Sequence, residues 1–312
     1  MRYLRLLAVF LALILVGTAQ ASSLIPINTE LVKRSVVFLY AADAAGEPDE
    51  TKELGTAFVI EIPLVSDPGK SYFALVTARH IVDPVWACLG IVNPVVMYAR
   101  VNKKDFDPSR DQSGIKFIKV TLTENGTVRW AKHSSDNVDA VVIPIVPADF
   151  MVHDVASIPV AVFGTPEEVK AVGIGDDVVS AGLVPGLSGQ KRNYPFFKFG
   201  KVSNIPEELT VLRCPDGAPR PVEYWYIAAT MVAGNSGAPI FYLPPGNAVL
   251  RFGEGRPFLL GLQSISVVGG EIAGMTPAQR IFEIVDALKL PDANLFRGLP
   301  KTGPQTPNQS PK

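Results

Sequence analysis

The chain has 312 residues, with 29 lysines and arginines, 30 aspartates and glutamates, and a formal net charge of −1. This near-neutral balance, without a basic cluster, disfavours nucleic acid and anionic membranes as partners. The two cysteines, Cys88 and Cys214, lack the C-x-x-C spacing of structural zinc sites, so we expect no metal and no other cofactor. Their separation leaves open both a disulfide and a pair of buried thiols, and we favour the thiols.

The first 21 residues have the pattern of a cleaved secretory signal. Two arginines in Met1–Arg5 precede the apolar run Leu6–Val16 and the small-residue end Ala19-Gln20-Ala21. That run is shorter than the ~20 residues that a membrane-spanning helix needs. We therefore expect residues 1–21 to be removed and the protein to be secreted or periplasmic, with no stable membrane association afterwards.

Short runs rich in β-branched and aromatic residues predict strands over most of the remaining chain. Six runs precede residue 150, at Ser35–Tyr40, Gly55–Ile62, Tyr72–Thr77, Val95–Val101, Ile115–Leu122 and Val138–Ile145. Six more follow, at Ile158–Phe163, Asp177–Leu183, Phe197–Val202, Glu223–Ala229, Ala238–Phe241 and Leu259–Ser266. They predict an all-β protein with two six-stranded antiparallel barrels, one in residues 22–150 and one in residues 151–290.

One helix is predicted to close the second barrel. Thr276 is expected at its N-cap, Pro277 at the first helical position and Gln279 three residues after the cap, as in a capping box. Apolar side chains then recur at helical spacing, at Ile281, Ile284, Val285 and Leu288. We expect Pro291 to end the helix and residues 291–312 to form a disordered tail.

The segment with the strongest chemical signal is Gly234-Asn235-Ser236-Gly237, which lies between an apolar lead-in and a predicted strand. Glycine permits a tight, partly left-handed turn in which backbone amides converge beside a hydroxyl. Amides in such a turn stabilise the oxyanion of a tetrahedral intermediate by roughly 3 kcal/mol each. The four residues alone are equally compatible with an ordinary hairpin turn.

A nucleophilic serine needs a base, and the chain has three histidines. His80 follows the predicted buried strand Tyr72–Thr77, which would give it a rigid backbone and an exposed ring. His133 and His153 lie in a polar run and in a predicted linker, so we interpret both as solvated loop residues.

A carboxylate is needed to orient the imidazole. Asp139 stands at the entrance of a predicted strand, where a sheet can hold its side chain. Asp136, three residues earlier in the polar run, is the alternative. Asp83 is close to His80 in sequence, but we expect it to face solvent.

Three blocks together resemble the signature of the trypsin-like, chymotrypsin-fold serine peptidases. They are Thr77-Ala-Arg-His80, Asp139-Ala-Val-Val-Ile143 and Gly234-Asn-Ser-Gly-Ala-Pro239, in the family's order of His, Asp and Ser. The GNSG form is similar to bacterial exported members. The resemblance extends over about residues 30–290, and Leu260–Ser264 is similar to the strand that lines the primary specificity pocket.

This resemblance implies that Ser236 attacks the scissile carbonyl, His80 transfers the proton and Asp139 orients the imidazole. It implies that the amides of Gly234 and Ser236 form the oxyanion hole. Ser264 would offer backbone hydrogen bonds to an extended peptide, so proteins or peptides are the expected substrates.

Three further positions depart from the digestive members of the family. Asn235 precedes the nucleophile where those members have an aspartate that pairs with a freed N-terminus, so activation by N-terminal insertion is not expected. Thr230 stands at the pocket floor where trypsin has an acid, which disfavours cleavage after Lys or Arg. Ser266 replaces the usual glycine and would narrow the pocket, favouring small or medium apolar residues.

Other classes fit the sequence less well. An α/β-hydrolase needs G-x-S-x-G and a later histidine, whereas this chain has Ala238 and no histidine beyond His153. A subtilisin-type order would use Asp43 or Asp67, but Pro239 favours a strand after the serine instead of a helix.

The main alternative to a secreted serine endopeptidase is an inactive trypsin-fold pseudoprotease that binds peptides or proteins. The complete set of triad positions favours the enzyme.

Overall fold

The computed structural model describes residues 29–230, 234–244, 256–266 and 271–297, all of which belong to one compact unit, Ile27–Gly298. The predicted signal sequence and the chain beyond residue 297 lie outside the described residues. In the described ranges, no helix is both long enough and apolar enough to cross a membrane.

Ten strands lie in the described residues of the N-terminal half. They are β1 (Val36–Ala42), β2 (Pro48–Pro63), β3 (Ser71–Thr77), β4 (Val96–Asn102), β5 (Ile115–Thr121), β6 (Thr123–Glu124), β7 (Thr127–Val128), β8 (Ala131–Lys132), β9 (Val141–Pro144) and β10 (Ile158–Pro159). Eight of them form one sheet in the order β5-β4-β1-β2-β3-β9-β8, with β10 paired parallel to β2. The strands β6 and β7 form a separate hairpin.

Eight strands lie in the described residues of the C-terminal half. They are β11 (Asp177–Gly182), β12 (Phe196–Asn204), β13 (Thr210–Arg213), β14 (Pro219–Val222), β15 (Trp225–Ala228), β16 (Pro239–Leu243), β17 (Phe258–Ser266) and β18 (Ile272–Pro277). Six of them close into a barrel in the order β11-β12-β15-β18-β17-β16. The strands β13 and β14 form a hairpin outside this barrel.

These strands confirm the predicted all-β fold, with a closed six-stranded barrel in the second half and a helix after it. In the first half the sheet has eight strands instead of six, because it also contains β8, which was not predicted, and β10, which was predicted for the second barrel. The sixth strand of the second barrel is instead β18, which was not predicted as a strand. The predicted strand Ile158–Phe163 is β10 followed by a 3₁₀ turn, Val160–Val162. The polar residues between β4 and β5 form a hairpin loop.

Five helices are described, and all but the last are short. They are α1 (Thr29–Ser35), α2 (Arg79–Val82), α3 (Pro147–Phe150), α4 (Pro166–Lys170) and α5 (Ala278–Ala287). The buried face of α5 contains Ile281, Ile284 and Val285, as predicted.

The predicted start of α5 is wrong. Thr276 belongs to β18, and its hydroxyl shares a hydrogen bond of 2.7 Å with that of Ser264. The N-cap is Pro277, which has no side chain able to cap the helix, and the Gln279 amide bonds to Glu283 at 2.8 Å. The helix ends at Ala287, before the predicted end at Pro291.

A continuous apolar core fixes the ends of β3 and β9. Leu75 and Val76 of β3 and Ile143 of β9 are fully or almost fully buried in it. The two strands pair antiparallel, with Thr77 opposite Val141. The residues that follow β3 and precede β9 therefore lie at one end of the sheet.

The two cysteines form a disulfide, so the expectation of buried thiols is wrong. Cys88 and Cys214 are 126 positions apart in sequence, yet their Cα atoms are 5.4 Å apart. Cys88 lies in the loop after α2, and Cys214 follows β13 at the tip of the β13–β14 hairpin. Sequence separation could not reveal this pairing, because it depends on the hairpin folding over the loop.

The first residues of the predicted disordered tail are ordered. Asn294 donates its backbone amide to the carbonyl of Pro63 at 2.7 Å, and Ala293 forms a β-bridge with Leu64. The Asp292 carbonyl accepts from the amide of Val65 at 2.8 Å. Backbone pairing with the β2–β3 turn, which composition does not reveal, orders these residues.

Candidate active site

His80 and Asp139 meet at the shared end of β3 and β9. His80 lies in α2, three residues after β3, and Asp139 lies two residues before β9. The Nδ1 atom of His80 is 2.9 Å from Oδ2 of Asp139, and the His80 backbone amide donates to Oδ1 at 3.0 Å. Asp139 therefore contacts both the ring and the backbone of the same histidine, which fixes the orientation of the imidazole.

A third donor to Asp139, Tyr224, was not predicted from the sequence. Its hydroxyl donates to Oδ2 at 3.0 Å from the segment between β14 and β15. The amide of the preceding residue, Glu223, donates to the Asn137 carbonyl at 2.9 Å, which holds this segment beside Asp139. The Asp139 carboxylate is fully buried and accepts three hydrogen bonds, so its desolvation is compensated.

The pKa values of this pair shift in the directions expected of a coupled base and acid. Burial raises the pKa of Asp139, but the charge of His80 and the hydrogen bonds from His80 and Tyr224 outweigh it, and the net pKa is lowered. Burial lowers the pKa of His80, but the charge and hydrogen bond of Asp139 outweigh it, and the net pKa is raised. Burial, followed by the charge of Asp139, raises the pKa of Tyr224 well above its ordinary value. Since a carboxylate faces Nδ1, we assign the neutral tautomer with the proton there, which leaves Nε2 as the acceptor.

Ser236 lines the same cleft as His80 and Asp139, a cleft of about 470 Å³. Its hydroxyl donates to the Ser264 carbonyl at 3.2 Å, and within the described residues no hydrogen bond joins it to His80. The Ser236 carbonyl accepts from the Thr56 amide at 2.8 Å, which ties the serine to β2. The three predicted triad residues therefore border one cleft, with the hydroxyl turned towards β17.

The turn around Ser236 requires glycine at two positions. Gly234 and Gly237 have φ of 90° and 86°, in the left-handed region. A Cβ atom on Gly237 would lie 2.0 Å from the Thr56 carbonyl oxygen, a contact that cannot be relieved by a side-chain movement. The Gly237 amide donates to the Gln263 carbonyl at 2.7 Å, and the Thr56 hydroxyl donates to the Gly234 carbonyl at 2.8 Å. These bonds attach the turn to both β2 and β17.

The backbone amides of Gly234 and Ser236 flank the turn that contains the Ser236 hydroxyl. Neither has a hydrogen-bond partner within the described part of the chain, whereas the nearby amides of Gly237 and Ala238 are both bonded. Unpaired amides beside a hydroxyl, in a turn fixed by two positive-φ glycines, are what an oxyanion hole requires.

The buried side chain of Asn235 is bonded on both sides. Its Nδ2 donates to the Leu183 carbonyl at 2.6 Å, and its Oδ1 accepts a hydrogen bond from the Lys198 ammonium group. Lys198 lies on β12, and burial lowers its pKa. An amide thus occupies the position that the sequence identified as unable to form an ion pair with a freed N-terminus.

The alternative acid and the neighbouring acid have other partners. Asp136 bonds to Arg79 at 3.0 Å and to Lys132 at 2.6 Å, and its side chain is 69% exposed. Asp83 is buried and bonds to Nε of Arg79 at 3.0 Å and to the amide of Asn93 at 2.9 Å. The expectation that Asp83 faces solvent is wrong, because the buried Arg79 guanidinium pairs with it.

The other two histidines lie away from Asp139. His133 bonds through Nε2 to Glu283 of α5 at 2.8 Å, and only 13% of its side chain is exposed. Its interpretation as a solvated loop residue is wrong, because the sequence does not show that α5 packs over this loop. His153 is partly exposed after α3, and burial together with nearby lysines lowers its pKa.

Two of the three residues predicted to contact substrate line the cleft, and the third does not. Ser264 is buried in β17, and its carbonyl is the acceptor of the Ser236 hydroxyl. Ser266, at the exposed end of β17, lines the cleft. Thr230 is exposed and is not among the residues that line this cleft, so its assignment to a pocket floor stays a prediction. Within the described ranges, no group of three or more His, Cys, Asp or Glu residues is arranged to hold a metal ion.

No protein-family model and no curated protein matches the chain. Among solved structures, it is similar to the active form of the Rv3671c protease from M. tuberculosis, at 16% identity and a TM-score of 0.44, over 82% of this chain and 81% of that one. Human heparin binding protein is 12% identical with a TM-score of 0.44, over 83% and 93% of the chains. A catalytically inactive tobacco etch virus protease in complex with substrate is 12% identical with a TM-score of 0.41, over 81% of each chain. Similarity at this level does not establish the activity of the chain.

Proposed function

We propose that the protein is a trypsin-like serine endopeptidase that hydrolyses peptide bonds through Ser236, His80 and Asp139. The observation that carries this proposal is the buried, triply bonded Asp139 carboxylate against Nδ1 of His80, on a cleft that Ser236 also lines. A serine near an imidazole that is itself oriented by a carboxylate is the arrangement that activates a hydroxyl as a nucleophile.

In this mechanism the Oγ atom of Ser236 forms a bond to the scissile carbonyl carbon while its proton passes to Nε2 of His80. The imidazolium then gives that proton to the leaving amine as the C–N bond breaks, leaving an acyl-enzyme ester on Ser236. Water, deprotonated by His80, attacks the ester, and the proton returns to Oγ as the acid product leaves. Asp139 stays ionised throughout, in keeping with its lowered pKa.

The turn around Ser236 supports stabilisation of the negative charge that develops on the carbonyl oxygen. The amides of Gly234 and Ser236 have no partner within the described residues and can donate to that oxygen. Two such donors, each worth roughly 3 kcal/mol, would account for a large part of the catalytic effect.

One observation is also expected of a second candidate, a pseudoprotease that binds peptides without cleaving them. The Ser236 hydroxyl donates to the Ser264 carbonyl instead of to His80. A hydroxyl hydrogen rotates about the Cβ–Oγ bond, and catalytic hydrogen bonds are often unformed without substrate, so this orientation is compatible with an enzyme. It is also what a resting, non-catalytic serine would show, and the experiment below separates the two.

We also propose that the protein works outside the cytoplasm. The basic, apolar and small-residue pattern of residues 1–21 supports export. The Cys88–Cys214 disulfide is consistent with that route, because such bonds persist in oxidising compartments.

A fluorophosphonate probe tests the proposal directly. We expect the folded protein to be labelled on the Ser236 peptide and to cleave a denatured protein mixture. Ser236→Ala and His80→Ala should each abolish both labelling and cleavage. Ser266→Ala is the matched control, because this exposed serine lines the same cleft, and labelling should persist in that variant.

Cooperative melting shows whether the sample is folded. If a folded sample is neither labelled nor able to cleave protein, the proposal that the protein is a peptidase is refuted. Binding of unmodified peptides by that sample would then support the pseudoprotease. Labelling that survives in His80→Ala would contradict the assignment of His80 as the base.

A further inference from the structure

Two segments that the disulfide joins contribute to the lining of the cleft. One is the loop after α2, which contains Trp86 and Leu89, and the other is the β13–β14 hairpin, which contains Leu212 and Val222. The Cys88–Cys214 bond links them directly. These apolar side chains therefore form a covalently supported surface beside His80 and Ser236.

Two guanidinium groups, Arg213 and Arg220, line this same cleft. Neither pairs with a carboxylate among the described residues. By contrast, Arg256 pairs with Glu168 and Arg280 pairs with Glu223. Asp139 is the sole acid among the described residues that line the cleft, and it is occupied by His80 and Tyr224. The cleft thus presents uncompensated positive charge.

Arg220 is held in place without having its charge neutralised. Its guanidinium carbon lies 5.1 Å from the centre of the Trp86 ring, and Nη2 is 3.4 Å from Sγ of Cys88. The Trp86 ring is itself fixed, because its Nε1 donates to the Asp136 carbonyl at 2.9 Å. The Nε of Arg220 is buried and has no hydrogen-bond partner among the described residues.

A guanidinium charge in a cleft is costly when no carboxylate faces it, and a ligand carboxylate would supply that partner. Because stacking already orders the guanidinium, little side-chain entropy is lost when such a ligand binds. Arg213 is exposed at the end of β13 and adds a second positive charge from the same hairpin.

We infer that this part of the cleft binds an acidic side chain of the substrate, Asp or Glu, at a position flanking the scissile bond. The methylene groups of that side chain would pack on Trp86 and Leu212, and its carboxylate would face Arg220 and Arg213. The inference rests on the proposed peptidase function. It concerns the part of the cleft lined by Trp86, Leu212 and the two arginines, whereas the predicted preference for an apolar residue rests on Ser266 at the end of β17.

Paired peptides that differ only by Glu or Gln at each flanking position test the inference. We expect kcat/KM to favour Glu by about tenfold or more at one position, the effect expected for a hydrogen bond between charged groups. Arg220→Gln and Arg213→Gln should each lower the Glu-to-Gln ratio, and both together should bring it close to one. Arg220→Lys should retain part of the ratio, because the charge remains while the stacked planar group is lost.

Arg110→Gln is the matched control, since it removes one positive charge from the exposed β4–β5 loop, away from the cleft, and should leave the ratio unchanged. Raising the ionic strength should reduce the ratio in the parent protein but not in the double variant. Retained probe labelling and cooperative melting verify that each variant is folded.

The outcome also separates failure of the inference from failure of the proposed function. Cleavage with equal rates for Glu and Gln at every position would overturn the acidic preference while leaving the peptidase intact. If no peptide is cleaved, the same pairs are titrated onto Ser236→Ala by fluorescence anisotropy. Tighter binding of a Glu peptide that is lost in Arg220→Gln would uphold the acidic site in a binding protein, and equal binding would refute it.

Discussion

Replacing Asp139 by Asn tests the proposed catalytic arrangement at its most constrained point. In the parent structure Oδ1 accepts from the His80 backbone amide, and Oδ2 accepts from the His80 ring and from Tyr224. An asparagine has only one carbonyl oxygen. If that oxygen stays opposite the backbone amide, the NH₂ group faces Nδ1 and forces the ring into the tautomer with hydrogen on Nε2. His80 can then no longer accept the proton of Ser236.

The expected loss in kcat/KM is about 10⁴-fold, the size of effect that the same replacement has in a Ser-His-Asp protease. That factor corresponds to about 5 kcal/mol of transition-state stabilisation. The structure also predicts a shift that does not depend on activity. Burial lowers the pKa of His80, and only the charge and hydrogen bond of Asp139 raise it above its ordinary value. Without that carboxylate, burial acts unopposed and the pKa should fall below its ordinary value.

Two measurements check this prediction. The first is the pH profile of kcat/KM, which in the parent should rise with pH through the raised pKa of His80, because the base must be neutral. The second is an NMR titration of the imidazole resonances, which is simple because the chain has three histidines. His153, whose pKa is already lowered, serves as an internal reference that should not move. An unchanged His80 pKa in Asp139→Asn, or a rate loss of less than about tenfold, would refute the reasoning.

Two further predictions concern the framework of the site. Gly237→Ala should abolish probe labelling and cost about 1–3 kcal/mol beyond backbone strain, because the new Cβ meets the Thr56 carbonyl. Gly46→Ala, at a matching φ of 85° with no atom within 4 Å, should lose only about 1 kcal/mol, and equal losses in chemical denaturation would contradict the packing argument. Replacing Cys88 and Cys214 together by Ser should lower the free energy of unfolding by about 2–5 kcal/mol. Reductant should then destabilise the parent but not the variant, and identical melting of the two without reductant would refute the prediction.

The parts of the site that follow buried strands could be predicted from the sequence. His80 and Asp139 follow and precede runs whose β-branched residues are buried in the core, so the ends of those runs are fixed in space. Pairing of β3 with β9 then brings the two residues to one end of the sheet. The apolar pattern of a buried strand can be read from a short stretch of sequence. That pattern is sufficient to locate a candidate site residue that lies at the end of such a strand.

The parts that depend on contacts between distant segments could not be predicted. Tyr224 stands in an apolar run like many others, and nothing local shows that its hydroxyl meets Asp139, 85 positions earlier. Pairing of Cys88 with Cys214 and of His133 with Glu283 depends likewise on a hairpin and a helix packing onto loops. In each case the sequence shows which side chains are present, but only the tertiary fold shows which of them are in contact.

The contacts of Asn235 give a physical basis for the prediction that N-terminal insertion is not used. In this chain the residue before the nucleophile is already bonded within the fold, through Oδ1 to Lys198 and through Nδ2 to the Leu183 carbonyl. Both partners belong to the second barrel or its loops and are present in the uncut chain. A new N-terminus would have to displace the Lys198 ammonium and would gain no ion pair from an uncharged amide. The described contacts of Asn235 therefore come from residues of the barrel and its loops, and we predict that the turn around Ser236 is ordered without cleavage of the chain.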